Sequence, residues 1–176
     1  MERKFAVSAA FIVLLAIAAY WLGRDSAGSL SPWYSPVVEP GEVSAALWVD
    51  ANVESRQVFS GDLFNCEMLT AVSRQYCSVG GAWELADRPN ERFSKNERMF
   101  LTNSSSQAWQ LARDYGVQFV FTSGRQGFYA YGWKPPENGK FGDVNYFRKV
   151  YDRSGTEIYR VLGEGEIPKP MLNATV

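Results

Sequence analysis

Residues 104–122, SSSQAWQLARDYGVQFVFT, carry the clearest structural signal in the chain. Ser104 and Gln107 have the spacing of a helix capping box. Apolar residues then recur at helical spacing, at Ala108, Leu111, Ala112 and Tyr115. Gly116 is the residue type that commonly ends a helix, and the apolar run 117–122 is typical of a strand buried on both faces of a parallel sheet. A helix, one glycine and a buried strand make half of a βαβ unit.

The segments on either side extend this pattern into an α/β fold. Upstream, Pro40-Gly41-Glu42 opens a helix whose predicted apolar face carries Val43, Ala46 and Leu47. A short strand then ends at Gly61-Asp62, where Asp62 is the predicted N-cap of the next helix. A second short strand follows at 76–79, and the charged run 88–101 predicts a solvated surface helix.

Downstream, two β-prone runs flank Arg153-Ser154-Gly155 and predict an antiparallel hairpin. Between the buried strand and this hairpin, residues 124–147 form a long aromatic segment. The predicted fold is therefore a small α/β sandwich with a mixed sheet. Its first strands are parallel, the hairpin closes it, and about four helices cover it.

Residues 5–23, FAVSAAFIVLLAIAAYWLG, are uncharged and follow Arg3 and Lys4. As a helix they span roughly 28 Å, the thickness of a hydrocarbon core. We therefore expect a transmembrane anchor at 1–24, with Phe5–Gly23 in the bilayer and a cytoplasmic N-terminus. The alternative is a signal peptide cleaved near Ser26-Ala27-Gly28. Either way, the rest of the chain is expected outside the cytoplasm.

The exported part divides by composition into three segments. Residues 25–40 are rich in Ser, Pro and Gly and predict a tether. Residues 41–163 are predicted to form one extracytoplasmic domain, and residues 164–176 a flexible tail.

Composition excludes several function classes. The formal net charge is −1 and the basic residues are scattered, so nucleic acid is not an expected partner. The chain has no histidine, which removes the commonest general base and zinc ligand. We therefore expect no metal or cofactor and favour a non-enzymatic role. A hydrolase that uses two carboxylates is the weaker enzymatic alternative.

Two kinds of covalent modification are permitted in an exported domain. Cys66 and Cys77 are disulfide candidates, and a loop of about eleven residues would contribute about 3 kcal/mol. The alternative is a pair of small buried thiols. Asn103 and Asn173 each begin an N-glycosylation sequon, although Asn103 also lies at a predicted helix start.

Five candidate binding residues follow predicted strands. Asp62 and Arg125 lie at strand ends, where α/β folds often bind ligands. Tyr129, Tyr131 and Trp133 offer flat rings that could stack on sugars. The alternatives are a helix N-cap for Asp62, a surface ion pair for Arg125, and a lid over the sheet for the aromatic residues.

Several segments in series resemble a known family. They are Ala45–Val49 (AALWV), Val58–Asp62, Glu97–Phe100 (ERMF), Tyr115–Arg125 (YGVQFVFTSGR), Phe147–Tyr151 (FRKVY) and Ile158–Val161 (IYRV). Together with the apolar segment, this order resembles the C-terminal extracytoplasmic domain of archaeal multi-pass membrane proteins of the GT-C glycosyltransferase superfamily. Its members include relatives of dolichyl-phosphate-mannose mannosyltransferases and oligosaccharyltransferases, and related YYY-motif membrane proteins. The resemblance covers about residues 5–162.

The resemblance implies an accessory role. Catalysis in that superfamily uses acidic residues on a loop within a bundle of many transmembrane helices, and no residue here matches them. The implied function is a membrane-anchored, non-catalytic extracytoplasmic module of surface glycosylation machinery. Its implied partner is a multi-pass membrane glycosyltransferase or a surface glycan. The alternative is a structural subunit of a cell-surface or filamentous assembly, although Phe5–Gly23 lacks the acidic residue expected of a pilin-like helix.

Overall fold

A computed structural model describes Ile17, Tyr20 and residues 38–80, 87–124 and 136–167 of the 176-residue chain. The chain divides into two compact units, residues 1–36 and 37–176. Within the described ranges, no helix has the length and hydrophobicity of a membrane span. Most of the predicted anchor and tether lies outside these ranges and stays a prediction.

The second unit is a mixed α/β domain, as predicted. In its described residues there are four α-helices: α1 (Pro40–Asn52), α2 (Leu63–Ser73), α3 (Pro89–Leu101) and α4 (Ser105–Asp114). They surround five strands: β1 (Val58–Ser60), β2 (Tyr76–Cys77), β3 (Phe119–Ser123), β4 (Phe147–Arg153) and β5 (Thr156–Val161). The strand order is β2-β1-β3-β5-β4. Strands β2, β1 and β3 run parallel, whereas β5 is antiparallel to both β3 and β4.

Strand β3 lies in the middle of the sheet and is buried on both faces. Phe121 packs in a core with residues of α1 and α2, and Phe119 borders that core. Val120, between them, packs in a second core with residues of α3 and α4. Alternation along the strand therefore assigns one pair of helices to each face of the sheet. This confirms the sequence prediction for residues 117–122.

Helix α1 was predicted correctly, and Ala46 of its predicted apolar face is buried, but the other two residues of that face are not. Val43 and Leu47 are 41% and 56% exposed. The buried positions are Glu42, Ala45, Ala46 and Val49, one residue away around the helix. The two alanines have short side chains, so the helix backbone can approach the sheet closely. Glu42 tolerates burial because its Oε2 accepts a 2.6 Å hydrogen bond from the backbone N–H of Glu39.

The N-terminus of α1 packs against the β4–β5 hairpin turn. Ser154 and Gly155 have φ values of 52° and 75°, the left-handed conformation that two-residue hairpin loops favour. This confirms the predicted hairpin. A Cβ atom on Gly41 would lie 2.7 Å from the Ser154 carbonyl oxygen, so only glycine fits there without a shift.

The described half of the aromatic segment belongs to the core rather than to an exposed loop. Residues Asn138–Gly142 form a 3-10 helix that places Phe141 at ring-centroid distances of 5.4 Å from Phe100 and 5.2 Å from Phe147. Packing also continues past residue 163. There, Ile167 is buried, and Arg160 pairs with Glu166.

Lys140 holds this 3-10 helix against the end of α3. Its Nζ donates a 2.8 Å hydrogen bond to the Phe100 carbonyl and another to the Glu137 carbonyl. The side chain is only 6% exposed. Burial lowers the pKa of Lys140 from its ordinary 10.5 to about 8, although Glu137 opposes the shift.

Replacing Gly41 with alanine should destabilise the domain by about 1–3 kcal/mol, because the added methyl group meets the hairpin backbone. Gly142→Ala is the matched control, since an added Cβ there has no atom within 4 Å. Urea unfolding of the two variants measures the difference. Equal stabilities would contradict the close packing of α1 on the hairpin.

Replacing Lys140 with methionine should change how stability depends on pH. Between pH 8 and 10.5 the unfolded chain keeps the Lys140 proton that the folded domain loses, so this residue makes folding more favourable as pH rises. Across that pH window, the free energy of unfolding of wild type should rise by up to about 3 kcal/mol relative to that of Lys140→Met. Denaturant unfolding at several pH values measures this gain. If the difference in free energy of unfolding between wild type and Lys140→Met did not vary with pH, the lowered pKa of Lys140 would be contradicted.

Candidate functional site

Asp62 lies where predicted and caps helix α2. Its Oδ1 accepts hydrogen bonds from the backbone N–H groups of Phe64 (2.8 Å) and Asn65 (3.0 Å). The side-chain amide of Asn65 donates to Oδ2, and Asp62 is 3% exposed. The predicted N-cap is therefore confirmed. A carboxylate committed to these donors is poorly placed to meet a ligand as well.

The other four predicted binding residues, Arg125, Tyr129, Tyr131 and Trp133, lie outside the described residues and stay predictions. The structure does describe the strand end from which their segment starts. There Ser123 is buried, and its Oγ has no hydrogen-bond partner in the described part of the chain. Of the two sequons, Asn103 lies exposed between α3 and α4, and Asn173 is outside the described residues.

A cleft of about 540 Å³ lies beside β1 and β2, against α3 and the end of α4. Strand β1 leads into α2 on one face of the sheet, whereas β2 leads towards α3 on the other. The cleft lies on the α3 face. It extends from Ser60 and Ser78, at the carboxyl ends of β1 and β2, to Tyr115 and Val117, which precede β3.

The inner wall of the cleft is a buried polar cluster that joins β1, β2 and α3. The Asn96 side chain occupies its centre and donates a 3.0 Å hydrogen bond from Nδ2 to the Gly61 carbonyl. Its Oδ1 accepts from the hydroxyls of Ser60 and, at 3.0 Å, Ser78. Ser78 also lies 3.1 Å from the Ser60 hydroxyl. The cluster thus presents neutral hydroxyl and amide groups beside the cleft.

The outer wall is the charged face of α3. Arg88, Arg92 and Lys95 recur along this face, and Glu91 lies among them. The Lys95 ammonium, which hydrogen bonds to Glu91, lowers the pKa of that carboxyl, and Arg88 at 3.7 Å adds to the shift. Arg92 makes no ion pair within the described ranges.

Two tyrosines complete the lining. Tyr76 on edge strand β2 is 56% exposed. Tyr115, at the end of α4, lies under Lys95, whose Nζ is 4.4 Å from the ring centroid. Asp87 and Asp114 also line the cleft, so its described lining has three basic and three acidic side chains. One exposed ring beside charges of both signs suits a polar, uncharged ligand.

Among the described residues, no group of three or more His, Cys, Asp or Glu side chains is placed to hold a metal ion. Cys66 and Cys77 are thiols in this structure. Burial, and then the neighbouring Cys66, raise the pKa of the Cys77 thiol. The predicted disulfide stays a prediction.

The cleft was not predicted from the sequence. The charged run 88–101 predicts a solvated surface helix, and the helix is present, but one face of it borders the cleft. One signal was available in the sequence: Ser60 stands at the end of one predicted strand and Ser78 at the end of the next, and parallel strands bring such ends together. Asn96, a polar residue between the apolar positions Phe93 and Met99, was the second signal.

No protein-family model matches the chain, and no curated protein matches its sequence. The fold, however, is similar to a solved structure, the C-terminal globular domain of an oligosaccharyltransferase from Archaeoglobus fulgidus. The TM-score is 0.52 at 12% sequence identity, over 68% of this chain and 95% of that one. At this identity the likeness concerns the fold alone. The domain therefore shares its fold with an archaeal oligosaccharyltransferase C-terminal domain.

Proposed function

We propose that this protein is a membrane-anchored, non-catalytic extracytoplasmic domain that serves surface glycosylation machinery as an accessory module. The observation that carries the proposal is the fold shared with an oligosaccharyltransferase C-terminal globular domain over 95% of that domain. The apolar segment Phe5–Gly23 supports a single-pass anchor with the domain outside the cytoplasm.

The cleft beside β1 and β2 is the proposed binding surface for a glycan or for the peptide segment of a membrane glycosyltransferase. Its chemistry supports a polar ligand. The exposed ring of Tyr76 offers an apolar face, and Arg92 offers a planar set of donors. Ser60 and Asn96 are buried, whereas Ser78 is partly exposed and its hydroxyl is fixed by Asn96, so the inner wall is rigid before a ligand arrives. A rigid site loses less entropy on binding.

Site-specific photo-cross-linking tests the proposal. The full chain carries p-benzoyl-phenylalanine in place of Tyr76 and is irradiated in its own cell membranes. Adducts with a multi-pass glycosyltransferase or a glycan-bearing lipid are expected. The control places the same group at Val144, which is 80% exposed and does not line the cleft. Adducts that lack any glycosylation component, or the same adducts from both positions, would contradict the proposal.

Alanine in place of Tyr76 or Arg92 should weaken binding of the cross-linked component roughly 5- to 150-fold, which corresponds to about 1–3 kcal/mol. Both side chains are exposed, so the free energy of unfolding should change by no more than about 0.5 kcal/mol. Arg113→Ala, on the exposed side of α4, is the control and should bind normally. Titration calorimetry measures binding. A loss of affinity in Arg113→Ala equal to that in Arg92→Ala would rule out the cleft as the binding surface.

The proposed anchor predicts that the full chain stays in membranes through high-salt and carbonate washes and is released by detergent. A helix of this length and apolarity partitions into the bilayer by the hydrophobic effect, which salt and alkali do not reverse. Membrane fractionation followed by immunoblotting measures this. A soluble mature protein that begins near Ser29 would instead support the cleaved signal peptide.

A further inference from the structure

Two cysteines meet next to the cleft. Cys66 lies in α2 and is fully buried, and Cys77 is the last residue of β2. In the parallel pairing of β1 with β2, Cys77 is the register partner of Phe59. Both residues therefore point to the same face of the sheet, where Phe59 packs in a core with Leu69 of α2. This alternation aims the Cys77 side chain at the helix that carries Cys66.

The chain between the two cysteines is held rigidly. Helix α2 ends at Arg74, which has a left-handed φ of 54°. The next residue, Gln75, is 1% exposed and accepts a 2.9 Å hydrogen bond at Oε1 from the Gln57 backbone N–H. These contacts fix the positions of α2 and β2 relative to each other.

We infer that Cys66 and Cys77 form a disulfide bond that ties α2 to edge strand β2. The oxidant is a disulfide. One cysteine thiolate attacks it, forms a mixed disulfide and releases the first oxidant thiolate. The second cysteine thiolate then attacks the mixed disulfide and releases the other, so the oxidant gains two electrons and becomes two thiols after protonation. The S–S bond that forms replaces the one that breaks in the oxidant. Only the supply of oxidant in cells rests on the proposed extracytoplasmic location.

Strand β2 is the strand that a cross-link would stabilise most. It is two residues long and lies at the edge of the sheet. Its backbone bonds to β1 include Tyr76 N–H to Gln57 at 2.9 Å and Ser78 N–H to Phe59 at 2.8 Å. Short edge strands open easily. A disulfide at Cys77 would keep Tyr76 and Ser78, one on either side of it, in place along the cleft.

The surroundings of the thiols also predict when the bond forms. Burial, then the neighbouring Cys66 and Asp62, raise the pKa of the Cys77 thiol. The reactive thiolate is therefore scarce in the folded domain. Oxidation should be fast in the unfolded chain, where both thiols are exposed, and slow once α2 has packed.

Redox titration of the purified full chain in detergent tests the inference without reference to location. The reduced protein is unfolded and refolded in a series of mixtures of reduced and oxidised glutathione. The reaction is quenched with acid, and the mass of the intact protein is measured by mass spectrometry. Wild type should become lighter by two hydrogen atoms, whereas Cys66→Ser and Cys77→Ser should each gain one glutathione. Wild type that keeps two free thiols, or carries glutathione on both cysteines, would overturn the inference.

Thermal unfolding gives the second measurement. The reductant should lower the melting temperature of oxidised wild type by about 10 °C, the scale for a loop of this length. The double variant Cys66→Ser/Cys77→Ser should melt at the same temperature with or without reductant. An equal shift in both proteins would overturn the inference.

Thiol alkylation in intact cells, combined with protease accessibility, separates this inference from the proposed location. Oxidised cysteines in a protease-accessible domain support both. Reduced cysteines in an accessible domain overturn the disulfide alone. A protease-protected domain overturns the location, and the glutathione titration then decides the disulfide independently.

Discussion

The burial of β3 on both faces is the constraint around which the rest of the domain is arranged. Phe119 and Phe121 face one helical layer, and Val120 faces the other. Burying a side chain of this size contributes about 1.5–3 kcal/mol, so exposing either face would cost much of a domain's net stability. Each face therefore needs its own pair of helices. Strand β3 also needs a neighbour on each edge, namely β1 on one side and β5 on the other.

The same constraint divides the sheet into two halves. On the β1 side the strands are parallel, and their connections must cross the sheet as helices. On the β5 side the strands are antiparallel, so a two-residue turn can join β4 to β5, and Ser154-Gly155 forms that turn. The parallel half consequently has diverging helical connections, and the cleft lies on the face that α3 covers. The hairpin half contributes Phe147, Tyr151 and Tyr159 to the core.

Both apolar and polar contacts hold α3: Met99 and Phe100 pack in the core, and Asn96 makes the buried hydrogen bonds beside the cleft. Asn96 is 4% exposed, and its amide would cost about 1–3 kcal/mol if left without partners. Only one rotation of the helix brings it to Ser60, Ser78 and the Gly61 carbonyl. That rotation places Arg88, Arg92 and Lys95 along the cleft. The buried amide thus helps to set the orientation of the charged face, whose side chains pack too little to set it themselves.

Sequence reasoning succeeded where the determining contacts are local. The α4 helix with its Ser104 cap, the β3 strand and the hairpin all depend on residues near one another in the chain. It failed for the face of α1, because Val43 and Leu47 are more apolar than the alanines, yet backbone contact with the hairpin at Gly41 decides the rotation. It also failed for the cleft, whose polar cluster joins residues 18 and 36 positions apart.

The charge balance of the cleft bears on what it can recognise. With three basic and three acidic side chains in its described lining, long-range attraction of a charged ligand is weak, and salt would screen most of what remains. Affinity must then come from contact: stacking on an exposed ring, and hydrogen bonds to groups whose geometry is already fixed. These are the interactions available to sugar rings and to peptide backbone. They also depend on the edge strand β2 keeping its place, because it carries Tyr76 and is followed directly by Ser78. A bond between Cys66 and Cys77 would hold that strand against α2, the helix that packs on the other face of the sheet from α3.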